Sequence, residues 1–308
     1  PGADAVVMVE DTDGRDAPDA ESVAIYVSSS LGANIRRSGS DLSHGNELFP
    51  PGVTITPSMI GSLASVGLRN VPVYPRPRVG VISTGDELVE EGPLGPGKIR
   101  DSNRPSLLAT LSVFGVEAVD LGLVRDDRDA LAEAFTHAAA TCDAVLTSGG
   151  VSVGDFDLTK VVLDQLSRGT MHWMQIAIRP AKPFAFGLID GTPLFGLPGN
   201  PVSALVSFEL LAAPALRKMM GRTTLQRELV LARAQDRFDD SPDGRTQYSR
   251  AIASTESGEF VVRSAGGQSS HMLSAMAQSN CLVVVPPGQS AAPGENVSIL
   301  PLANFALA

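Results

Sequence analysis

Short apolar runs alternate with longer helical stretches between residues 78 and 220, and no other feature restricts the fold of this chain as strongly. The runs that we predict as strands are Arg78–Ser83, Val116–Val124 and Asp143–Thr147. The stretches that we predict as helices are Pro105–Phe114, Asp127–Ala140 and Leu158–Leu166. Strands that alternate with helices of this length form a mostly parallel sheet flanked by helices. The sequence therefore predicts a central α/β domain.

Downstream, the α/β pattern continues and then gives way to short β runs. Further strands are predicted at Ile176–Ile178, Phe184–Leu188 and Pro193–Phe195, and a long helix at Val202–Met220. Beyond Gln226, strands are predicted at Leu229–Ala232, Gln247–Ile252, Phe260–Arg263, Leu282–Val285 and Val297–Leu300. Short strands without intervening helices are typical of a small all-β domain.

The N-terminal part has a different character. Val6–Val9 and Val23–Val27 are predicted as strands and Thr56–Leu68 as a helix, and prolines cluster directly after it. Because the chain opens on Pro1 in strand-like sequence, we expect the N-terminal part of this first domain to be missing. The predicted divisions are a partial β domain over 1–38, a linker with a helical segment over 39–76, the α/β domain over 77–225 and the β domain over 226–308.

Charge and composition exclude several classes of function. The 308 residues carry a formal net charge of −10, which argues against nucleic acid or an anionic membrane as partner. No apolar run is long enough to span a membrane. The two cysteines, Cys142 and Cys281, are far apart and form no metal-binding or redox pair. We expect both to be buried thiols in a reduced, cytoplasmic compartment.

Polar loops follow three of the predicted strands directly. They are Ser83–Leu88, Arg125–Asp127 and Ser148–Asp157. The carboxyl ends of parallel strands lie at one rim of a sheet, where ligands bind, so these loops predict a binding site. In the third loop, glycines allow close approach of the backbone and the following helix N-terminus suits an anion. A tight strand-to-helix turn capped by aspartate explains the same residues.

Side chains in these and two later loops suit a phosphate ligand with a metal ion. The carboxylates Glu87, Asp126, Asp155 and Asp157 offer the oxygen ligands that Mg²⁺ prefers, although helix caps and solvated loop charges are the plain alternative. Arg179 and Lys182 lie in a proline-rich loop and suit an oxyanion, or form a surface turn. The loop Gly196–Ala204 enters the long helix, with Asn200 as candidate cap and Pro201 in the first turn.

Taken as a set and in order, these loops resemble the motif series of the molybdopterin molybdotransferases, the MoeA and gephyrin E-domain family. The matching motifs are STGDEL (83–88), KIRDSN (98–103), RDD (125–127), SGGVSVGDFDLTK (148–160), RPAKPFAFG (179–187) and GLPGNPVSA (196–204). Flanking segments extend the resemblance over essentially the whole chain. An acidic motif that the family carries near its N-terminus lies upstream of Pro1, and Gln175 stands where some members have lysine.

The resemblance implies a molybdopterin-binding fold and a transferase that inserts molybdate into adenylylated molybdopterin with release of AMP. It implies Mg²⁺ at Glu87, Asp126 and Asp157 as the catalytic and metal-binding carboxylates, and molybdate at Arg250 and Ser270. The residues that it implies for substrate binding are Thr84, Gly85, Asp86, Asn103, Ser148, Gly149, Gly150, Ser152, Gly154, Asp155, Arg179, Lys182, Pro198, Asn200 and Pro201. It also implies a homodimer and an encounter with the molybdopterin adenylyltransferase.

Two other functions remain open at this level. A non-catalytic, gephyrin-like scaffold would use the same fold, and the missing N-terminal segment favours it while the complete carboxylate set does not. A molybdopterin adenylyltransferase would use the same central fold. The GGVSVG loop and the C-terminal β domain argue against that enzyme.

Overall fold

A computed structural model describes residues 2–14, 21–150 and 158–303 of the protein. The chain forms two compact units. The first comprises Pro1–Pro51 and Pro57–Gly67, and the second comprises Gly52–Thr56 and Leu68–Ala308. No helix in the described part of the chain is long and apolar enough to cross a membrane.

The described part of the first unit contains helix α1 (Pro57–Ser65) and a short 3₁₀ turn, Val9–Asp11. Helix α1 confirms the helical prediction, and Gly67 follows it with the left-handed backbone typical of a helix end. The prediction of strands at Val6–Val9 and Val23–Val27 is wrong. Neither run forms a strand, and the one isolated bridge in the described part of this unit pairs Ile25 of the second run with Thr12, outside the first. The apolar side chains of both runs are about half exposed, so no neighbouring strand buries them as a sheet requires.

The α/β part of the second unit begins with the following elements, in chain order: β1 (Arg78–Thr84), β2 (Leu88–Val89), β3 (Ile99–Arg100), α2 (Asn103–Phe114), β4 (Glu117–Val124), α3 (Arg128–Thr141), β5 (Ala144–Ser148) and α4 (Leu158–Leu166). It continues with β6 (His172–Gln175), β7 (Ile178–Arg179), β8 (Pro183–Ile189), β9 (Thr192–Leu197), α5 (Pro201–Ser207) and α6 (Ala213–Met219). The predicted elements are present with ends shifted by a few residues, except between residues 172 and 179.

A six-stranded sheet in the order β4-β1-β5-β9-β8-β6 forms the centre of this part. The first four strands run parallel, and β8 and β6 are antiparallel additions, which confirms the mostly parallel sheet. The strand predicted at Ile176–Ile178 is placed differently, because the chain leaves the sheet after Gln175. Ile176 N–H bonds to Lys182 O at 2.7 Å and closes a loop, from which β7 projects into another sheet.

Side chains alternate between the two faces of this sheet and build two cores. Val79 and Val81 of β1 face one core with Leu107 of α2, while Ile82 faces the other core with Phe135 of α3. All five side chains are fully buried. Burial on both faces explains why the strand sequences are continuously apolar rather than alternating.

The predicted helix over Val202–Met220 is continuous but not uniform. A π-helical turn, Phe208–Ala212, joins α5 to α6. The N–H of Ala213 bonds to Phe208 O, five residues earlier, directly before Pro214. Proline has no N–H to continue the regular ladder, and the wider turn accommodates it within one helix.

The C-terminal part of the second unit is a small β domain with one helix. Its elements are β10 (Val230–Ala234), β11 (Phe238–Asp239), β12 (Thr246–Glu256), β13 (Glu259–Ser264), α7 (Leu273–Gln278), β14 (Cys281–Val285), β15 (Ser290–Ala291) and β16 (Asn296–Pro301). The strand order β13-β10-β16-β14-β12, with β12 also paired to β13, closes on itself. Closure leaves no free edge on these five strands. Strand β7 pairs with the start of β12 and so links the two parts of the unit.

Both cysteines are buried free thiols, as predicted. Desolvation raises the pKa of the Cys281 thiol to about 12, so it stays protonated and unreactive near neutral pH. We expect neither Cys142 nor Cys281 to react with Ellman's reagent in the native protein, and both to react after unfolding. Rapid labelling of the native protein would contradict the packing of these two sites.

Candidate functional site

The polar loops at the carboxyl ends of β1, β4 and β5, which the sequence predicted to converge, meet at one rim of the sheet together with the loop after β9. Ser148 pairs in register with Ser83 on one side and Leu197 on the other. Gly149 N–H donates to Leu197 O at 3.2 Å, and Gly85 N–H donates to Val124 O at 3.3 Å. The structure therefore brings together the described parts of the loops that the sequence predicted to converge.

Asn103, the first residue of α2, ties two of these loops together. Its Nδ2 donates to Ser148 Oγ and to Gly199 O, both at 2.7 Å. Its Oδ1 is buried and accepts no hydrogen bond within the described ranges. A buried amide oxygen without a donor is costly, so this atom is positioned to accept a hydrogen bond from a ligand.

Replacing Asn103 by Ala will loosen the contact between these loops. Loss of two buried hydrogen bonds should lower the free energy of unfolding by about 2 kcal/mol. The affinity for a ligand at the rim should fall as well. Denaturant titration and ligand binding measure both effects, with Asn296→Ala, an exposed asparagine on β16, as control. A variant as stable as the native chain would contradict the bridging role.

Gly149 and Gly150 are required by close contacts. Both have left-handed backbones, with φ of +96° and +67°. A Cβ at Gly149 would lie 2.7 Å from Thr84 O, and one at Gly150 would lie 2.4 Å from Thr159 Cβ. The backbone of β5 therefore enters the loop directly against β1 and α4, which only glycine allows.

Asp86 and Asp126 lock the loops after β1 and β4 to each other. Asp86 N–H donates to Asp126 Oδ2, and Asp126 N–H donates to Asp86 Oδ1, each at 3.3 Å. Lys98 Nζ donates to Asp86 O at 2.5 Å. These contacts place the exposed carboxylates of Asp86 and Asp126 at the rim. Glu87 follows Asp86 directly and its side chain is also exposed, while its backbone carbonyl accepts from Ile99 N–H.

Not every acidic side chain of these loops faces the rim. Asp127 Oδ1 accepts from the N–H groups of Asp129 and Ala130 and caps α3, which is the structural role that the sequence left open. Among the described residues, no group of three metal-binding side chains is close enough to hold an ion. Four predicted site residues lie outside the described residues, namely Ser152, Gly154, Asp155 and Asp157.

Arg250, on β12, is the largest fully buried side chain of the protein's described part. Its Nη2 donates to Gly267 O at 2.9 Å and to Ser269 O at 3.2 Å. Its Nε and Nη1 have no hydrogen-bond partner among the residues described. Burial lowers the pKa of Arg250 to about 10, which leaves it charged at neutral pH. A buried guanidinium with unused N–H groups is suited to an anion.

The loop that contacts Arg250 continues to the start of α5. Ser270 O accepts from Val202 N–H at 3.1 Å, so the second predicted oxyanion residue adjoins the loop that carries Pro198 and Asn200. Pro201 occupies the first turn of α5, as predicted. Asn200 is the cap residue by position, but its side chain makes no capping hydrogen bond. The exposed Asn200 side chain is therefore not committed to the helix.

Arg179 and Lys182 lie in the loop that β7 anchors to the β domain. Arg179 pairs in register with Gln247, three residues before Arg250 on β12. Arg245 Nη1 holds the loop by donating to Ile178 O at 3.0 Å. The Arg245 guanidinium, with Ser241, also keeps the pKa of Asp243 well below its usual range. The structure thus places Arg179 and Arg250 on adjacent strands of one sheet.

Gln268, which was not predicted as a site residue, holds the backbone of Arg250 through both its N–H and its carbonyl group. Gln268 Oε1 accepts from Arg250 N–H at 2.8 Å, and its Nε2 donates to Arg250 O at 3.0 Å. The buried hydroxyls of Ser83 and Thr147, which have no partner within the structure as described, were not predicted either. Ser83 opens a loop that the sequence singled out, but residue type and spacing do not mark its buried hydroxyl, nor Thr147 or Gln268, because these features depend on contacts between distant parts of the chain.

Comparison with known proteins covers nearly the whole chain. Residues 1–67 match the MoeA N-terminal region (domains I and II), residues 80–218 match the family described as probable molybdopterin binding domain, and residues 232–302 match the MoeA C-terminal region (domain IV). The three matches follow one another in the order expected for a single family.

Individual relatives agree with these matches. The chain is 40% identical over 271 residues to the molybdopterin molybdenumtransferase of Haemophilus influenzae, covering 87% of this chain and 67% of that protein. It is 39% identical over 293 residues to molybdopterin molybdenumtransferase 2 of Mycobacterium tuberculosis. The match covers 92% of this chain and 70% of that protein. A crystal structure of a MoeA protein from Pyrococcus horikoshii superposes on this chain with a TM-score of 0.75 at 28% sequence identity. The superposition covers 97% of this chain and 72% of the Pyrococcus chain. The chain belongs to the molybdopterin molybdenumtransferase, or MoeA, family.

Proposed function

We propose that this chain inserts molybdate into adenylylated molybdopterin in molybdenum cofactor biosynthesis. Water cleaves the phosphoanhydride and AMP leaves, while the two dithiolene thiols displace one oxygen of molybdate, which departs with their protons as water. The observation that carries the proposal is Arg250, a buried guanidinium whose Nε and Nη1 have no partner in the described structure. An oxyanion substrate would supply the missing acceptors.

Molybdate is held at the junction of the two parts of the second unit. Nε and Nη1 of Arg250, which have no partner among the described residues, are the donors that we assign to the oxyanion. Ser270 adjoins it, and its backbone contact to Val202 keeps this loop at the start of α5. Arg179 and Lys182 are exposed cations on the neighbouring loop and add positive potential for the dianion.

The adenylylated substrate lies along the rim of the sheet. Thr84, Gly85, Ser148, Gly149 and Gly150 present backbone and hydroxyl groups at the ends of β1 and β5. Asn103 holds this rim against the loop of Pro198, Asn200 and Pro201, so a ligand bound there lies beside the oxyanion loop. Ser152, Gly154, Asp155 and Asp86 complete the proposed contacts.

Glu87, Asp126 and Asp157 would hold Mg²⁺. Their carboxylate oxygens are the donors that this ion prefers, and the reciprocal Asp86–Asp126 contacts already fix one of them at the rim. When bound, the ion neutralises the phosphate charge that develops as the phosphoanhydride breaks. The protein's part is to orient these oxygens and the phosphates toward one another.

We further propose that the chain acts as a homodimer in the cytoplasm and receives its substrate from a molybdopterin adenylyltransferase. Exposed apolar side chains in the first unit support a partner surface. Val23, Ile25, Tyr26 and Leu31 are each more than half exposed. Where exposed apolar side chains form one patch, they mark a protein interface.

The test is molybdate-dependent release of AMP from adenylylated molybdopterin in the presence of Mg²⁺. We expect release by this chain and its loss in Asp157→Asn and Glu87→Gln, because each removes an oxygen ligand of the metal. Asp190→Asn, an exposed carboxylate paired with Arg168, is the matched control and should keep full activity. Substrate binding without release would identify a non-catalytic scaffold, and absence of binding would overturn the proposed function.

A further inference from the structure

We propose that a second cavity, separate from the rim, binds a small phosphorylated metabolite through Arg222. The cavity has a volume of about 860 Å³ and lies in the second unit. Pockets of 300 to 1,000 Å³ are typical of small-molecule sites. None of the residues proposed for molybdate or substrate binding lines it.

The cavity lies at the far ends of the two helices that begin at the rim. Helix α2 starts at Asn103 and reaches the cavity with Thr110 and Phe114. The helix that starts at Pro201 reaches it with Glu209 and Arg217. Because an α-helix rises about 1.5 Å per residue, α2 places Thr110 about 10 Å and Phe114 about 16 Å from Asn103. The cavity is therefore a site of its own.

Positive charge exceeds negative charge inside the cavity. The buried carboxylate of Glu209 accepts from Arg217 at 2.9 Å and from Arg227 at 2.6 Å, so one anion serves two cations. Arg222 lies over the Phe114 ring at 5.8 Å and forms no ion pair with the described part of the chain. Glu228 adds one carboxylate, but it is exposed at the margin. A partly buried excess of guanidinium groups attracts an anion.

The loop that carries Arg222 is held rigidly from two sides. A Cβ at Gly52 would lie 2.8 Å from Gly221 O, and a Cβ at Gly221 would lie 2.2 Å from Tyr74 Cδ2. Both glycines have left-handed backbones, with φ of +86° and +72°. Such close packing orders the backbone next to Arg222 before a ligand arrives, which reduces the backbone entropy lost on binding.

Hydroxyl groups around the guanidinium favour phosphate over other anions. Thr54, Thr223 and Thr224 line the cavity with Arg222, whereas the Thr110 hydroxyl, which also lines it, already donates to Ser106 O at 2.7 Å. A phosphate has enough acceptor oxygens to bind a guanidinium fork and several hydroxyls at once. The volume exceeds that of one phosphate, and the Val53 and Val113 side chains supply apolar wall for the rest of a small phosphate monoester.

Binding is measured by calorimetry with two probes, inorganic phosphate and ribose 5-phosphate, against chloride at equal ionic strength. We expect saturable binding of ribose 5-phosphate, tighter than that of inorganic phosphate. Arg222→Gln should weaken it by about tenfold or more, and Arg222→Lys, which keeps the charge but loses the fork, by less. Arg168→Gln, an exposed arginine elsewhere, should leave it unchanged, with equal melting temperatures for all variants.

Arg250→Met separates this site from the proposed oxyanion site, on which the inference does not depend. We expect ribose 5-phosphate binding to survive that substitution. Binding lost in Arg250→Met but kept in Arg222→Gln would assign the phosphate to the other site and overturn the inference. Equal affinity for both probes would show that the cavity binds free phosphate rather than a phosphorylated metabolite and would overturn the inference. Absence of saturable binding at millimolar concentrations of either probe would overturn it as well.

Discussion

Replacing Arg250 by Met will lower molybdate-dependent AMP release by about 100-fold, the usual effect of removing one preorganised oxyanion donor. The substitution keeps the length of the buried stem and removes the N–H groups that the proposed oxyanion needs. Because the rim loops are untouched, we expect adenylylated molybdopterin to bind with unchanged affinity. Steady-state kinetics with varied molybdate, and a separate binding measurement for the pterin substrate, test both expectations.

The same variant should fold as well as the native chain. Two nitrogen atoms of Arg250, Nε and Nη1, are buried without a partner in the described structure, and removing them relieves a desolvation cost. Against this gain, Gly267 O and Ser269 O lose their donor. Since apolar replacement of a buried charge is often neutral, we expect the free energy of unfolding to change by less than about 1 kcal/mol. A strongly destabilised variant would instead assign Arg250 a structural role.

Replacing Glu209 by Ala will lower the free energy of unfolding by about 3 kcal/mol or more. Glu209 and Arg217 are both buried, and the substitution leaves the Arg217 guanidinium without its carboxylate. Arg227, which is 28% exposed, also loses its only described carboxylate partner but can turn to water. The unpaired buried charge of Arg217, rather than the lost hydrogen bond itself, accounts for most of the loss in free energy of unfolding.

Denaturant titration measures this effect, with Glu228→Ala as the matched control. Glu228 lies on the same cavity but is exposed, so its loss should change the free energy of unfolding by less than about 0.5 kcal/mol. Equal stability of the two variants would show that the Glu209 ion pairs contribute no more than a surface pair.

The central domain was predictable because the local pattern and the tertiary contacts agree. A continuous apolar run such as the one over residues 79–82 is best buried on both faces between helices, and the sheet has that form. The convergence of the rim loops followed from the same rule, since parallel strands end at one side. The glycines at 149 and 150 were expected to let the backbone approach a ligand, whereas the close contacts that the structure shows are with Thr84 and Thr159 of the chain itself.

Other features depend on partners that no local pattern reveals. The valine runs in the first unit have strand-like sequences, but a strand exists only when another strand pairs with it. Strand β7 pairs with β12 across about 70 residues of sequence, so local periodicity placed it in the wrong sheet. Arg250 was identified only through the family resemblance, because burial and unused N–H groups are properties of the folded chain.

The transfer reaction itself provides the most direct measurement. The chain is incubated with adenylylated molybdopterin, Mg²⁺ and radioactive molybdate, and the pterin is then separated and counted alongside the AMP released. We predict equal amounts of AMP and pterin-bound molybdenum, both lost in Arg250→Met. AMP released without molybdenum on the pterin, or equal yields from the native chain and Arg250→Met, would contradict the proposal that this chain inserts molybdate at Arg250.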